Sequence, residues 1–326
     1  MSLLKNISQW ALEKGLIFTN QKIIIALSGG PDSIFLAHLL KGIQKEFNLS
    51  LIAAHLDHGW RAESAHEAEW VKSYCEKIEI PFIIGHAQKF QNVIKKNGSL
   101  EAEGRQARQL FFQEIAQKNS ADSVALGHHA NDQQETFFIR LLRGAQLSGL
   151  ASMQPQRGIF IRPLLSTPKS VIIDYLKTHN IPFLNDPTNE SDQFLRNRIR
   201  LHVLPTLQAT DPRFDHHCLA AITALQEANL FIEQAAQQSL TAISNGSNII
   251  SLLELFKLDS FLQKKVIILW LINAQVGFTI SESFVNEIMR FLSSPRGGKH
   301  ILSTSWCIVK KSQVARIESF QTQNDQ

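Results

Sequence analysis

KIIIALSGGPDSIFLAHLL, residues 22–40, decides how the first half of this chain folds. The run Ile23-Ile24-Ile25-Ala26-Leu27 has the length and composition of a buried strand. Ser28-Gly29-Gly30-Pro31-Asp32-Ser33 follows as a Gly-rich turn, and Ile34 to Leu40 opens a helical pattern. A strand, a glycine turn and a helix N-terminus make an anion site, because backbone N–H groups point outward and the helix dipole favours negative charge. Gly29 and Gly30 let the backbone approach a phosphate, Ser28 and Ser33 bring hydroxyls, and Asp32 can hold a metal ion. The spacing lacks the G-x-x-x-x-G-K-[ST] of Walker A and is not the dinucleotide fingerprint. A bare strand-to-helix turn with two glycines would look the same in isolation, so the surrounding pattern has to decide.

That pattern alternates. Strands are expected at 22–27, 51–56, 81–85, 123–127 and 159–162, and helices at 33–46, 63–79, 100–118, 131–143 and 168–179. Strands separated by helices of this length build a doubly wound parallel sheet, an α/β fold whose ligands bind outside the carboxyl ends of the strands. Beyond it lie a basic helical stretch, FLRNRIRLHVLPTL at 194–207, and a long Ala- and Leu-rich helix at 214–240. Residues 250–326 read as a smaller α/β module, with helical patterns from LLELF to about 272 and over 281–293, then strand-like HILST and WCIVKK. The expected division is a catalytic domain at 1–209, a helical linker at 210–245 and a small RNA-binding domain at 246–326. The tail QTQNDQ is expected to fray.

With 326 residues and 44% hydrophobic content the chain can bury two cores. A net charge of +4 permits a phosphate-rich partner without requiring one. Cys75, Cys218 and Cys307 are far apart and form no C-x-x-C, which argues against a zinc ribbon and fits a reducing, cytoplasmic setting. The N-terminus reads as an amphipathic helix rather than a signal peptide, and no run of 18 apolar residues suggests a membrane span.

Two polar constellations fall at strand ends. His55-Leu56-Asp57-His58-Gly59-Trp60-Arg61 closes the second strand, and Gly127-His128-His129-Ala130-Asn131-Asp132-Gln133-Gln134-Glu135-Thr136 closes the fourth. Both ends share the rim of SGGPDS, so three loops converge on one cleft. Asp132, Glu135 and Thr136 share a helix face. His55, Asp57, His128 and Asp132 are also a conceivable metal-ligand set for a hydrolase. Glu101, Arg105 and Arg108 align on another helix, as solvated ion pairs or as a binding face. Arg196 and Arg200 are one turn apart on the basic stretch, after an expected turn at 186–189, and guanidinium forks grip phosphate bidentately.

In order, SGGPDS, HLDHGWRAES, EAEGRQAR, GHHANDQQET, LLRGAQLSGLASM, RPLL and DPTNESDQFLRNRIRLHVLP resemble the tRNA(Ile)-lysidine synthetases, from about Lys22 to Pro205. SGGxDS alone marks the wider pyrophosphate-loop superfamily, which cleaves ATP to AMP and pyrophosphate; the ordered set is far more specific. Gly104 stands where Ala is usual, Gln109 where Tyr is frequent and Trp60 where Leu is common. Long members carry a further C-terminal module beyond the one this sequence reaches.

The resemblance implies an adenine-nucleotide alpha-hydrolase-like α/β domain that uses ATP and Mg²⁺. ATP adenylates carbon 2 of the wobble cytidine in the CAU anticodon of an isoleucine tRNA, and the ε-amine of free L-lysine displaces AMP. The lysidine product reads AUA instead of AUG. Catalytic roles fall to Asp32, His128, Asp132, Glu135 and Arg196. ATP contacts fall to Ser28, Gly29, Gly30, Pro31, Asp32, Ser33, His55, Asp57 and Arg200, with Asp32 also a Mg²⁺ ligand. Substrate contacts fall to Arg105, Arg108, Asp132 and Glu135, the two carboxylates holding the lysine ammonium. The oligomeric state stays open, with a homodimer among the options.

Overall fold

Ile23, Ile24 and Ile25 are all 0% exposed, and they feed two different cores. Ile23 and Ile25 pack on one face of the sheet, Ile24 on the other. A strand buried on both faces is what a continuous apolar run means in a parallel sheet. In the computed structural model the described residues are 3–59, 64–94, 100–185, 192, 194–246, 248–277 and 281–320, less the side chains of Leu100 and Glu101. Trp60, Arg61, the Glu101 side chain, the expected turn at 186–189 and the tail at 321–326 lie outside them.

The chain divides into two units, Met1–Gln226 and Glu227–Gln326. The first begins with α1 (Leu3–Glu13), β1 (Lys22–Ala26), α2 (Pro31–Ile43), β2 (Ser50–Asp57), α3 (Ser64–Lys77) and β3 (Phe82–His86). It continues through α4 (Leu100–Lys118), β4 (Ser123–Ala125), α5 (Ala130–Leu142), α6 (Leu147–Leu150), β5 (Gln156–Arg157), β6 (Phe160–Ile161) and α7 (Lys169–Thr178). The strand order is β3-β2-β1-β4-β6-β5, parallel throughout except for the β5–β6 pair. The chain winds from β1 outward to β3, then returns to place β4 on the other side of β1. A crevice therefore opens between the carboxyl ends of β1 and β4. Helices α1, α2 and α7 contribute to the core on one face, where Phe35, Leu39 and Leu176 are buried; α4 covers the other with Phe111 and Phe112. Burying each such side chain contributes roughly 1.5–3 kcal/mol, enough to lock the strand ends that carry the site.

The basic stretch is not one regular helix. α8 (Leu195–Arg198) passes into a π-helical segment, Ile199–Val203, and then α9 (Leu204–Thr210). Pro205 has no N–H to donate and its ring crowds the carbonyl one turn back, at Leu201, which lies inside the widened segment. α10 (Phe214–Ile243) follows as a single helix of 30 residues.

The second unit holds β7 (Ile249–Ser251), α11 (Leu252–Leu255), α12 (Ser260–Asn273), α13 (Glu282–Ser293), β8 (Gly298–Ile301), β9 (Trp306–Lys311) and β10 (Val314–Ser319). Its antiparallel sheet runs β7-β10-β9-β8 around a core centred on Trp270. Two strands beyond the expected pair, β7 and β10, complete the sheet, neither with a strong apolar run. The helix expected from LLELF to 272 is broken, because Asp259 caps a new N-terminus by accepting from the Phe261 N–H at 2.9 Å.

Candidate active site

Residues 27–31 leave β1 and enter α2. Gly29 sits at φ +87, in the left-handed region, and an added Cβ would lie 2.7 Å from Leu184 Cδ1. Its carbonyl accepts from the Leu184 N–H at 2.9 Å. The buried Ser33 hydroxyl donates to the Gly30 carbonyl at 2.9 Å and accepts from the Ser28 N–H at 3.1 Å, so it braces the loop from inside. The Ser28 side chain is exposed on the outer side. No side chain caps α2, and Pro31 occupies its first turn. Its N-terminus is thus left for an external anion.

The β4 end is mated closely to this loop. An added Cβ on Gly127 would meet the Asp32 carbonyl carbon at 3.1 Å and the Ser33 nitrogen at 3.2 Å. Two residues on, His129 caps α5, and its N–H donates to Asp132 Oδ2 at 3.0 Å. Arg196 bridges the two carboxylates of α5: its Nη2 donates to Asp132 Oδ1 at 2.8 Å and its Nε to Glu135 Oε2 at 2.6 Å. Arg200 grips Glu135 from the next turn, Nε to Oε1 at 2.6 Å and Nη2 to Oε2 at 3.1 Å. Glu135 is 1% exposed, so both of its oxygens need these forks to offset desolvation. Burial works against the Asp132 anion, but His129, Arg196, His128 and the His129 amide hold its carboxyl below the usual range. The Asp132 side chain remains 13% exposed.

His128 precedes the cap. Burial pushes its imidazole down to about 4 despite Asp132, and the charges of Arg162, Arg196 and Arg108 add to the shift. The ring is therefore neutral near pH 7. Its Nδ1 is buried without a hydrogen-bond partner among the described residues. Arg162 itself is pushed down to about 10, by burial and by Arg157.

On the other side, the buried His55 donates from Nδ1 to the Leu27 carbonyl at 2.9 Å and ties the end of β2 to that of β1. Asp57 accepts from the Gly59 N–H at 2.8 Å and lies 3.5 Å from His86. Burial opposes its anion, but the Gly59 amide, Ser64 and the two histidines His86 and His55 hold the carboxyl below its usual value. Arg105 and Arg108 are exposed on α4, and Arg108 reaches His58 at 3.4 Å. His58 is pushed down to about 4, mainly by burial and then by Arg108.

Several residues of this site have no signature in the sequence. Lys169, the first residue of α7, places its ammonium 2.5 and 2.6 Å from the two oxygens of Asp32. Gln133 holds Met153 through both its amide groups at 2.8 Å, and Gln134 donates to Asp215 at 2.8 Å, so α5 is anchored on both flanks. Lys169 stands in no motif, and although Gln133 and Gln134 lie inside GHHANDQQET, the partners that give them their task are brought near only by folding. The hydrolase ligand set of His55, Asp57, His128 and Asp132 is not assembled: among the described residues no three His, Cys, Asp or Glu side chains are grouped to hold a metal ion. The partly exposed Asp32 at an uncapped helix start does suit a Mg²⁺ whose other ligands are phosphate and water.

A parallel switch-point sheet, a glycine loop feeding an uncapped helix and a carboxylate–guanidinium cluster across the crevice define a PP-loop protein. Residues 3–207 match the PP-loop domain family. Within it the chain belongs to the tRNA(Ile)-lysidine synthase family. It is 31% identical over 288 residues to a tRNA(Ile)-lysidine synthase of Clostridium acetobutylicum, covering 85% of this chain and 61% of the relative. It is 31% identical over 314 residues to that of Geobacillus kaustophilus, covering 90% and 67%. Against the bifunctional protein TilS/HprT of Listeria innocua the figures are 32% over 300 residues, 89% and 46%. The chain thus spans about half to two thirds of the length of these relatives. Among solved structures, the U34-tRNA thiolase NcsA of Methanococcus maripaludis shares the fold, with a TM-score of 0.60 at 19% identity over 69% of this chain and 78% of the other. No helix among the described residues is long and apolar enough to cross a membrane.

Proposed function

We propose that this chain ligates lysine to carbon 2 of the wobble cytidine in a CAU-anticodon isoleucine tRNA, at the expense of ATP. The observation that carries the reading is one cleft with an uncapped phosphate-loop helix on one wall and the Asp132–Glu135–Arg196–Arg200 cluster on the other. In the first step the cytidine C2 oxygen attacks the α-phosphorus and the bond to pyrophosphate breaks. The α2 N-terminus, the loop amides and Ser28 receive the phosphates, and Asp32 with those phosphates would hold Mg²⁺, which supplies charge neutralisation to the leaving group. In the second step the lysine ε-nitrogen attacks C2, AMP leaves and the amine loses a proton.

Roles follow from what each group is free to do. Glu135 has both oxygens committed to guanidinium forks, so it aims Arg196 and Arg200 at the reacting phosphate and nucleobase. Asp132 also accepts at both oxygens, from the His129 N–H and from Arg196, but its side chain is 13% exposed against 1% for Glu135, so it is the carboxylate that receives the lysine ammonium, with neutral His128 beside it. His55 and Asp57 shape the nucleotide side, and Arg105 and Arg108 face the RNA. The decisive experiment incubates the protein with CAU-anticodon isoleucine tRNA, ATP and labelled lysine, then analyses nucleosides and nucleotides. Lysidine with AMP and pyrophosphate is expected. ADP as the main nucleotide product, or label absent from the tRNA, would overturn the reading.

A further inference from the structure

We propose that Lys169 is a ligand for the departing pyrophosphate that waits on Asp32 until nucleotide and metal arrive together. The inference deepens the function proposed above and rests on it. Its basis is one contact: the Lys169 ammonium sits across both Asp32 oxygens, at 2.5 and 2.6 Å. Neither side chain is deeply buried, at 34% and 28% exposed, so the pair is open to exchange. The backbone beneath is not. The Lys169 N–H donates to Asn131 Oδ1 and the Ala130 N–H donates to the Thr167 carbonyl, both at 2.9 Å. The starts of α5 and α7 are thereby stitched together, and only the four-carbon stem of Lys169 can move.

An ammonium astride a carboxylate blocks that carboxylate to a divalent cation, since two positive charges a few ångströms apart repel. Asp32 has no companion carboxylate set to overcome that repulsion, as no metal-binding group is assembled among the described residues. Nucleotide changes the balance, because a triphosphate at the α2 N-terminus offers anionic oxygens to both cations. Lys169 then exchanges Asp32 for a β- or γ-phosphate oxygen, where an ammonium acts as a compact point charge. There it offsets the negative charge that grows on pyrophosphate as the bond to the α-phosphorus breaks.

The test uses the full chain, with Lys169→Met, Lys169→Gln and Lys169→Met/Asp32→Asn. Mn²⁺ alone is titrated by electron paramagnetic resonance, without nucleotide. Removing the ammonium should tighten Mn²⁺ binding on the order of tenfold, and Asp32→Asn should cancel the gain. In single turnover with ATP, Mg²⁺ and tRNA, Lys169→Met should slow pyrophosphate formation about 10²–10³-fold, while affinity for an ATP analogue changes far less. In the wild type, a non-hydrolysable ATP analogue should tighten Mn²⁺ binding by more than tenfold, which needs no variant to fold. Unchanged Mn²⁺ affinity in both single variants, or a wild-type rate of pyrophosphate formation, would overturn the proposal. If the wild type forms no pyrophosphate at all, the functional reading falls, whereas the Mn²⁺ competition still reports the Lys169–Asp32 exchange by itself.

Discussion

Glu135 concentrates the electrostatic tension of the site in one side chain. It is buried with two guanidiniums that have followed it out of water. Replacing it by Gln preserves shape but removes the charge both arginines oppose, and breaking such a buried pair costs roughly 3–5 kcal/mol. Glu135→Gln should lower the denaturation midpoint and abolish lysidine formation; an unchanged midpoint would show that the arginines find water instead. His128 and His58 make a second prediction, about pH. Both are pushed down to about 4, whereas an unfolded imidazole titrates near 6.5. As pH falls from about 6.5 to about 4, the unfolded chain takes up protons that the folded one refuses, so stability drops across that window. The Asp132 carboxyl, held low, contributes stability that is lost only below the window, as pH falls through its folded value. His128→Gln should flatten the decline by on the order of 1–2 kcal/mol, read from urea midpoints at pH 7 and pH 4.5. Equal slopes for variant and wild type would remove His128 as the cause.

At the level of elements, the site depends on how the β4 end meets the start of α2. Gly127 approaches the Asp32 backbone so closely that a methyl group there must push backbone rather than a pliable side chain. Gly127→Ala should therefore leave the fold standing but displace the phosphate loop by a few tenths of an ångström. Affinity for an ATP analogue should fall about tenfold, a cost near 1.4 kcal/mol, with a melting temperature within a few degrees of wild type. Undiminished nucleotide affinity would mean that the two loops move independently. The π segment has a comparable task. Widened turns inside helices recur at functional sites, and here the segment carries Arg200 while α8 carries Arg196, both onto one carboxylate.

For the whole molecule, the residues given chemical roles above all fall in Met1–Gln226. The proposal for the second unit is that it grips tRNA. Lys264, Lys265 and Lys311 are candidates for phosphate contact, whereas Lys310 is buried and its ammonium is spent on the carbonyls of Leu292 and Ser294 at the end of α13. Affinity for tRNA should fall steeply as salt rises, because released counterions drive such binding. A protein ending at Gln226 keeps Gln226 on the Met153 carbonyl and Asp215 on Gln134. It should bind ATP normally and lose most tRNA modification, since poor positioning of the nucleobase costs orders of magnitude. Full modification by that shortened protein would make the second unit dispensable.

Legibility in the sequence followed the range of the forces involved. Strand, glycine turn and helix are local, so residues 22–40 specified the loop, and the strand–helix alternation that continues to about residue 179 specified the parallel sheet and the rim on which Asp32, His128, Asp132 and Glu135 would meet. Spacing along one helix likewise put Asp132 beside Glu135 and Arg196 beside Arg200. Which cation meets which carboxylate was not encoded in any spacing. Arg196 reaches Glu135 across 61 residues of chain and Lys169 reaches Asp32 across 137. Strands such as β7 and β10 were equally silent, because two or three apolar side chains become a strand only when a neighbour offers its hydrogen bonds. Local chemistry determined where a phosphate can sit; only the packed fold decided which charges stand guard around it, because ion pairing depends on distance in space and desolvation, neither of which a linear sequence contains.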